Sequence, residues 1–169
     1  MNDIEQPAEA MTMRYLSDEA EDILETLWVD TYESHQAPLP GGAPMPAGRN
    51  GAFSELLDRG FVEVGDGPPR LTAKGEEVAR AVVRRHRLAE RLLSDVLEMA
   101  GEAMDNAACG FEHSLREGVD EAICTLLGHP TACPHGKPIP PGSCCRSQLR
   151  NAQRVVAPLT QLNARESGH

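Results

Sequence analysis

The chain has 169 residues, of which 40% are hydrophobic and only 4% are aromatic, and its formal net charge is −10. This length suits one domain of ordinary size or two small ones, and the core must be mainly aliphatic. The negative charge argues against a general polyanion-binding surface, although a local basic patch can still contact nucleic acid.

The sequence contains no recognisable targeting segment. The first residues, MNDIEQPAEAM, are acidic and lack an apolar signal core. No run of about 18 apolar residues occurs, so we expect no membrane span. The chain has five cysteines. Without a secretion signal, these thiols fit a reducing cytoplasmic location, where they bind metal or fill structure rather than form disulfides.

The N-terminal part predicts an arm and a helix. Residues 1–16 predict a flexible arm. Ser17 then predicts a helix N-cap, and the helix is expected to run to about Ser34. Acidic residues follow the cap in the first turn, where they suit the helix dipole: Asp18, Glu19 and Glu21.

A stretch rich in proline and glycine separates this helix from a small hairpin. HQAPLPGGAPMPAGRNG, residues 35–51, cannot form a long helix or a central strand. The stretch 51–64 predicts a short helix that ends at Gly60 and leads into a strand. The GDGPP turn then predicts a two-stranded wing over 61–72.

Three helices are predicted after the wing, so the fold class is mainly α. Thr72 caps a long helix that continues to about Met99. Further helices are expected over residues 102–115 and 117–127. Beyond Gly128 lies a segment of prolines and cysteines, followed by QLRNAQRVV, which predicts a short helix.

The long helix carries a polar pair inside an apolar stripe. The stripe, taken at about 100° per residue, contains Val78, Val82, Ala89, Leu93, Val96 and Leu97. His86 and Glu90 fall within it, one turn apart. A buried carboxylate needs a partner, so the pair is either a hydrogen-bonded core pair or two metal ligands.

Arginines occupy the opposite side of the same helix. They are Arg80, Arg84, Arg87 and Arg91. Such a stripe is most often a solvated face, but it can also meet phosphates.

The following helix carries four potential ligands within an arc of about 100°. They are Asp105, Cys109, Glu112 and His113. One interpretation is a polar helix face with a core cysteine. The other is a transition-metal site, because imidazole and thiolate suit iron or zinc, and carboxylate suits manganese or iron. Together with His86 and Glu90, the pattern favours metal.

The passage CPHGKPIPPGSCC, residues 133–145, holds three of the five cysteines. Cys133, His135, Cys144 and Cys145 form a C-x-H…C-C arrangement that could hold zinc or an iron–sulfur cluster. Adjacent cysteines strain such a site, and the spacing matches no strong zinc signature. A redox-labile thiol pair and inert loop thiols are the alternatives.

The sequence resembles the metal-dependent repressors of the diphtheria-toxin-repressor and manganese-transport-regulator family. The resemblance rests on RRHRLAERLL within the long helix, on CGFEH, and on LLGHPTACPHGKPIP. It covers residues 17–34 and 52–145. It implies a dimeric winged-helix protein that binds operator DNA when ferrous iron or manganese is bound, and that controls metal-uptake genes.

The resemblance also implies ligand roles. Asp22 and Glu25 match ligands of the manganese type, whereas Cys109 matches the thiol of the iron type, which tilts the expectation toward ferrous iron. Glu112 and His113 match ligands of both types. The ancillary-site ligands of the iron type match three positions, the last of which is His in the family: His86, Glu90 and Asp105. A helical wheel alone would leave Asp22 and Glu25 facing solvent.

The resemblance suggests four regions and two departures from the family. The regions are an arm over 1–16, a winged-helix-like DNA-binding domain over 17–72, a helical metal-binding and dimerisation domain over 73–140, and a tail over 141–169. The Pro-rich 35–51 stretch replaces the positioning helix, which leaves Arg49, Asn50 and Arg70 as candidate DNA contacts. The tail resembles only the opening strand of an SH3-like, FeoA-type domain.

Two functions therefore compete, and an enzyme is disfavoured because no general base or substrate pocket is evident. The leading hypothesis is a dimeric, metal-responsive transcriptional regulator. The alternative is a metal- or redox-sensing dimer that lacks ordinary DNA recognition and acts through a protein partner. The Pro-rich stretch and the acidic charge favour the alternative.

Overall fold

A computed structural model describes residues 16–33, 50–115 and 118–145. These residues form five helices and one hairpin: α1 (Asp18–Tyr32), α2 (Asn50–Asp58), β1 (Val62–Glu63), β2 (Arg70–Leu71), α3 (Ala73–Leu97), α4 (Gly101–Glu112) and α5 (Val119–Leu126). The predicted mainly helical fold is confirmed. None of the described helices is both long and apolar enough to cross a membrane. The arm, most of the Pro-rich stretch with Arg49, and the C-terminal remnant lie outside the described residues.

Helix α3 is the central element, because it contributes to all three hydrophobic clusters of the described residues. Its N-terminal half packs Val78 and Ala79 against α1, α2 and β1. Its C-terminal half packs Ala89 and Leu93 against α4. Leu88 packs against α5 and the segment that follows it. The helix therefore joins two parts of the chain. We call α1, α2 and the β1–β2 hairpin the winged part, and α3, α4, α5 and the segment after α5 the helical part.

The winged part is held by contacts at the ends of its elements. Thr72 caps α3 as predicted, since its Oγ1 accepts a hydrogen bond from the Gly75 N–H at 3.1 Å. Ser17 occupies the N-cap position of α1 but makes no cap bond. Its hydroxyl donates to Glu55 in α2 at 2.8 Å, because α2 lies close enough to compete for it. The Ser17 side chain therefore links the start of α1 to α2 and does not cap α1.

The wing is a short antiparallel hairpin in which Val62 pairs with Leu71 and Glu63 with Arg70. It packs tightly on the start of α3. A Cβ on Gly75 would lie 1.9 Å from the Phe61 carbonyl oxygen, so only glycine fits at this crossing. The wing position is therefore fixed to the first turn of α3.

Two of the four arginines on the arginine side of α3 are buried, so this side is not wholly the solvated face that was the commoner of the two interpretations. Arg84 and Arg87 are only 5% and 4% exposed. The reason is that the Pro- and Cys-rich residues 133–145, called the proline segment below, run along this side in the direction opposite to α3. The carbonyl oxygens of Pro138, Pro140 and Pro141 accept hydrogen bonds from Arg87, Arg84 and Arg80, respectively.

The proline segment packs on the helices of the helical part. Ile139 is 6% exposed and joins the cluster of Leu88 and Ile123. An isolated bridge between Ala132 and Pro138 closes the intervening residues into a loop.

The apolar stripe of α3 ends one turn earlier than predicted. Val96 and Leu97 are 54% and 59% exposed. The chain leaves the helix at Glu98, whose φ is 53°, and turns into α4. The last turn of α3 therefore stays outside the contact with α4.

Candidate metal centre

Helix α1 and the end of α4 bring four potential metal ligands together. One ligand atom from each of Asp22, Cys109, Glu112 and His113 lies within 4.8 Å of the others. Asp22 comes from α1, and the other three come from the last turn of α4 and the residue after it. On α4, residues three and four apart share a face, so Cys109 lies beside Glu112 and His113. The structure thus places these four predicted residues in one group.

Glu112 also belongs to a second group, which contains Glu25 and His86. The Nδ1 atom of His86 lies 3.2 Å from Oε2 of Glu112. The Glu112 side chain is fully buried. Among the described residues, neither of its carboxylate oxygens has a hydrogen-bond partner. The short contact with His86 is therefore electrostatic and lacks hydrogen-bond geometry.

The buried Glu112 carboxylate, which has ionic contacts with His86 and His113 but no hydrogen bond among the described residues, is the observation that tests whether a metal fits. A buried carboxylate without hydrogen bonds is costly unless a cation compensates it. The surrounding donors are carboxylate oxygens, imidazole nitrogens and one sulfur, a set suited to ferrous iron, with the oxygens and nitrogens also suited to manganese. The residues present therefore fit such an ion.

Glu21 orients His113, a role that sequence reasoning missed. Its Oε2 atom lies 2.8 Å from Nδ1 of His113. This leaves Nε2 facing the other donors, 3.4 Å from Asp22 and 3.6 Å from Glu112. Glu21 also accepts a hydrogen bond from Arg85 at 2.7 Å. In the sequence, Glu21 stood out only as an acidic residue in the first turn of the helix, next to Asp22. The helix dipole was sufficient to explain an acidic residue there.

A third group continues from His86 along α3. His86 Nε2 lies 3.4 Å from Oε1 of Glu90. His135 Nδ1 lies 3.0 Å from the same oxygen. Cys133 completes this group, and Asp105 lies 3.5 Å from His135 Nε2. The predicted ancillary residues thus lie in one region, to which the loop after α5 adds Cys133 and His135.

The predicted C-x-H…C-C arrangement is not one group. Cys133 and His135 lie beside Glu90, whereas Cys144 and Cys145 lie with Cys124 and His129. The cause is the path of the proline segment, which runs back along α3 from Arg87 to Arg80. This path carries the adjacent cysteines away from Glu90. Sequence reasoning missed Cys124 and His129, although their C-x₄-H spacing was visible.

The charges of the site shift the pKa values of its groups. Burial acts to lower the pKa of His86, but contacts with Glu112 and Glu90 outweigh it and raise the pKa to about 11. Burial raises the pKa of Glu25, and the charge of Glu112 adds to this effect. Burial, Asp22 and Glu112 raise the pKa of the Cys109 thiol. In the absence of an ion, the His86 imidazole is therefore protonated at neutral pH.

The candidate DNA contacts are sparse within the described part. Arg70 is exposed on β2, and Asn50 is the first residue of α2. The exposed positions of α2 after Asn50 carry no lysine or arginine among the residues described: Gly51, Ser54, Leu57 and Asp58. Arg59, just after α2, is paired with Glu55 at 3.2 Å.

Comparison with known proteins places these groups in a family context. Residues 72–141 match the family described as "Iron dependent repressor, metal binding and dimerisation domain". The iron-dependent repressor IdeR of Mycobacterium tuberculosis is 37% identical over 134 residues, which cover 76% of this chain and 58% of the relative. The diphtheria toxin repressor of Corynebacterium diphtheriae is 37% identical over 71 residues, or 42% of this chain and 31% of the relative.

Solved structures show the same likeness. A manganese-dependent transcriptional repressor in complex with manganese has a TM-score of 0.62 and 30% identity, covering 73% of this chain and 59% of the other. The crystal structure of T. acidophilum IdeR has a TM-score of 0.54 and 28% identity, covering 74% of this chain and 60% of the other. The chain therefore spans about three-fifths of the length of the M. tuberculosis repressor and of these two solved structures. It belongs to the diphtheria-toxin-repressor family of iron- and manganese-dependent repressors.

Proposed function

We propose that the protein is a metal-dependent transcriptional regulator that binds operator DNA as a dimer and responds to ferrous iron or manganese. One observation carries the proposal: Asp22 of α1 shares a potential ligand group with Cys109, Glu112 and His113 of the helical part. The relatives named as iron- and manganese-dependent repressors support it. Within the site, Cys109 favours iron, because manganese prefers oxygen ligands.

The ligand groups lie where α1 can transmit binding to the winged part. The opposite face of α1 packs Ile23 and Leu24 into the cluster that contains Leu56 of α2 and Phe61. A divalent ion bound at this site would compensate the carboxylates that converge on it. Asp22, Glu25 and Glu112 would then hold α1 against α4, and α2 and the wing would follow as one packed unit. Binding would thereby shift the population between two arrangements of the DNA-binding elements.

The energetic requirement for such regulation is modest. A coupling of about 1–3 kcal/mol changes operator affinity by about 5- to 150-fold. In a dimer, a small rotation of each winged part would determine whether α2 of both protomers reaches half-sites about one DNA turn apart. The contacts for that coupling would come from four side chains on α1 and at the end of α4: Asp22, Cys109, Glu112 and His113.

A gel-shift titration tests the proposal. The probe is the DNA upstream of the protein's own gene, assayed anaerobically at low salt with and without ferrous iron. We expect retardation with iron and at least tenfold weaker binding for Asp22→Asn. Glu19→Gln is the matched control, since Glu19 is exposed on the same helix. Absence of retardation in both metal states at low salt would contradict DNA-dependent regulation.

That negative outcome would favour the second candidate function, a metal-sensing dimer that acts through a protein partner. The observation in its favour is electrostatic. The chain has a formal net charge of −10, and the exposed face of α2 lacks lysine and arginine after Asn50 among the residues described. Few phosphate contacts mean weak binding of any nucleic acid.

A further inference from the structure

A separate group of metal-type ligands lies where α5 meets the end of the proline segment. It consists of Cys124, His129, Cys144 and Cys145, with one atom from each within 4.8 Å of the others. Cys124 is fully buried, and the other three are half-buried. Cys144 and Cys145 lie beyond residues 72–141, the stretch that matches the family domain. The group is therefore a feature of this chain that the function proposed above does not use.

Four of the six distances within the group match the edges of a tetrahedral zinc site, and all six are within 4.8 Å. Zinc–sulfur bonds of about 2.3 Å and zinc–nitrogen bonds of about 2.0–2.1 Å give tetrahedron edges of about 3.8 Å between sulfurs and about 3.6 Å between sulfur and nitrogen. The Sγ atom of Cys145 lies 3.6 Å from that of Cys124 and 3.8 Å from that of Cys144. His129 Nδ1 lies 3.6 Å from Cys124 Sγ and 3.8 Å from Cys145 Sγ.

The backbone at His129 adopts an uncommon conformation that turns the imidazole toward Cys124. His129 has a φ of 58° and directly follows Gly128, whose φ is 72°. Its N–H donates to the Cys124 carbonyl oxygen at 2.8 Å. A left-handed backbone at a residue other than glycine costs free energy and often marks a functional position. Here the left-handed backbone closes the loop from Cys124 to His129 and places the imidazole beside the Cys124 thiol.

Close packing against Arg84 brings the two adjacent cysteines into the group. A Cβ on Gly142 would lie 2.7 Å from Cζ of Arg84, so glycine permits this approach. Arg84 Nη2 then lies 3.4 Å from Sγ of Cys144. Three thiolates and a neutral imidazole around a divalent zinc ion carry a net charge of −1. The buried guanidinium, whose Nε also donates to Asp120 at 2.9 Å, lies beside these thiolates through its Nη2 atom.

We propose that Cys124, His129, Cys144 and Cys145 bind a structural zinc ion that fastens the end of the proline segment to α5. Zinc replaces the three S–H protons, which leave to solvent, and no group is oxidised or reduced. His129 binds through Nδ1 and keeps its proton on Nε2. Four protein ligands leave no open position, as in structural zinc sites. The site would also fix the loop that places His135 beside Glu90.

A variant with only these three cysteines tests the proposal. Cys109→Ser with Cys133→Ala removes the other two of the five cysteines. This double variant of the full chain is purified anaerobically, treated with a weak chelator, and analysed for zinc. A second sample is loaded with Co²⁺ as a spectroscopic probe. We expect one retained zinc per chain, and sulfur-to-cobalt charge transfer with the visible bands of a tetrahedral ion.

Two further substitutions in that background separate this site from the α1–α4 site. His129→Asn, which keeps the buried Cys124 and tolerates the left-handed backbone, should lower zinc affinity at least tenfold. Glu112→Gln should leave the retained zinc and the cobalt spectrum unchanged. Far-ultraviolet circular dichroism checks that each variant is folded. Loss of zinc from the parent variant, an unchanged spectrum in His129→Asn, or a Cys124–Cys145 disulfide without metal would overturn the proposal.

Discussion

His86 of α3 reaches the fully buried carboxylate of Glu112 in α4, with its Nδ1 atom 3.2 Å from Oε2. Among the described residues, both Glu112 oxygens lack a hydrogen-bond partner. Glu112 also belongs to both ligand groups that include residues of α1. This single carboxylate therefore connects α3 and α4 to α1.

Replacing Glu112 should abolish metal-dependent stabilisation. A ligand at a hundredfold excess over its Kd stabilises a folded protein by about 2.7 kcal/mol, which raises Tm by roughly 5–10 °C for a chain of this size. We expect Glu112→Gln to lose this shift with Mn²⁺, measured by thermal unfolding. Glu77→Gln, an exposed change on α3, should retain it. An equal shift in both variants would exclude Glu112 as a ligand.

Cys109 should determine the preference between metals. Cys109→Ala is expected to weaken Fe²⁺ binding by about tenfold or more, equivalent to about 1.4 kcal/mol. Binding of Mn²⁺ should weaken less, because manganese prefers oxygen donors. Anaerobic competition with a metal-binding dye measures both affinities. Unchanged ferrous affinity would show that the thiol is not a ligand.

Metal binding should release a proton from His86. Its pKa in the folded protein is raised from 6.5 to about 11, so the metal-free imidazole is charged at neutral pH. A raised pKa contributes stability that is present below about pH 6.5 and lost as the pH rises toward 11. A metal ligand must be the neutral imidazole, so metal affinity should instead increase with pH in this window.

Calorimetry in buffers of different ionisation enthalpy measures the protons released on Mn²⁺ binding. At pH 8, the wild-type protein should release about one proton more than His86→Gln, if both still bind the ion. Equal proton release by the two proteins would contradict a charged His86 in the metal-free state.

The ends of several elements and the ligand face of α4 could be predicted from the sequence, because they depend on local signals. The Thr72 cap and the Gly60 and GDGPP turns mark their elements within a few residues. The shared face of Cys109, Glu112 and His113 follows from helical periodicity. Asp22 and Glu25 required the family resemblance, since their partners lie on α3 and α4, far away in the sequence.

The remaining features depend on the path of an irregular segment, which no periodicity describes. Arg84 and Arg87 are buried partly because proline carbonyl oxygens lie beside them and accept their hydrogen bonds. The same path separates Cys144 from Cys133. For this reason the grouping of the C-terminal cysteines could not be obtained from spacing.

The buried Arg87 should stabilise the fold more than the partly exposed Arg91. Arg87 Nη1 contacts Glu33 at 2.6 Å and donates to the Pro138 carbonyl oxygen at 2.6 Å. Removing one partner of a buried pair leaves a buried charge, so Arg87→Ala should lower the free energy of unfolding by about 3–5 kcal/mol. Arg91→Ala, which breaks the more exposed pair with Asp95, should cost about 1 kcal/mol or less. Urea unfolding measures both changes, and equal losses would contradict the role of the proline segment.

Arg70 should contact phosphate if the protein binds DNA. Arg70→Ala is expected to weaken binding similarly for all sequences and to reduce the slope of log K against log salt by about 1. Lys137→Ala is the control, because Lys137 is exposed in the loop after α5, near Glu33. If Arg70→Ala left the salt slope unchanged, Arg70 of the wing would not contact DNA phosphate.

The position of the bound metal is the most direct test of the link between α1 and the helical part. Crystals grown with Mn²⁺ can be measured at a wavelength where manganese scatters anomalously. The expected peak lies between Asp22 of α1 and Glu112 and His113 of α4, with at least one α1 carboxylate within coordination distance. An ion bound only by residues of α3 and α4, with Asp22 and Glu25 both uncoordinated, would contradict the account.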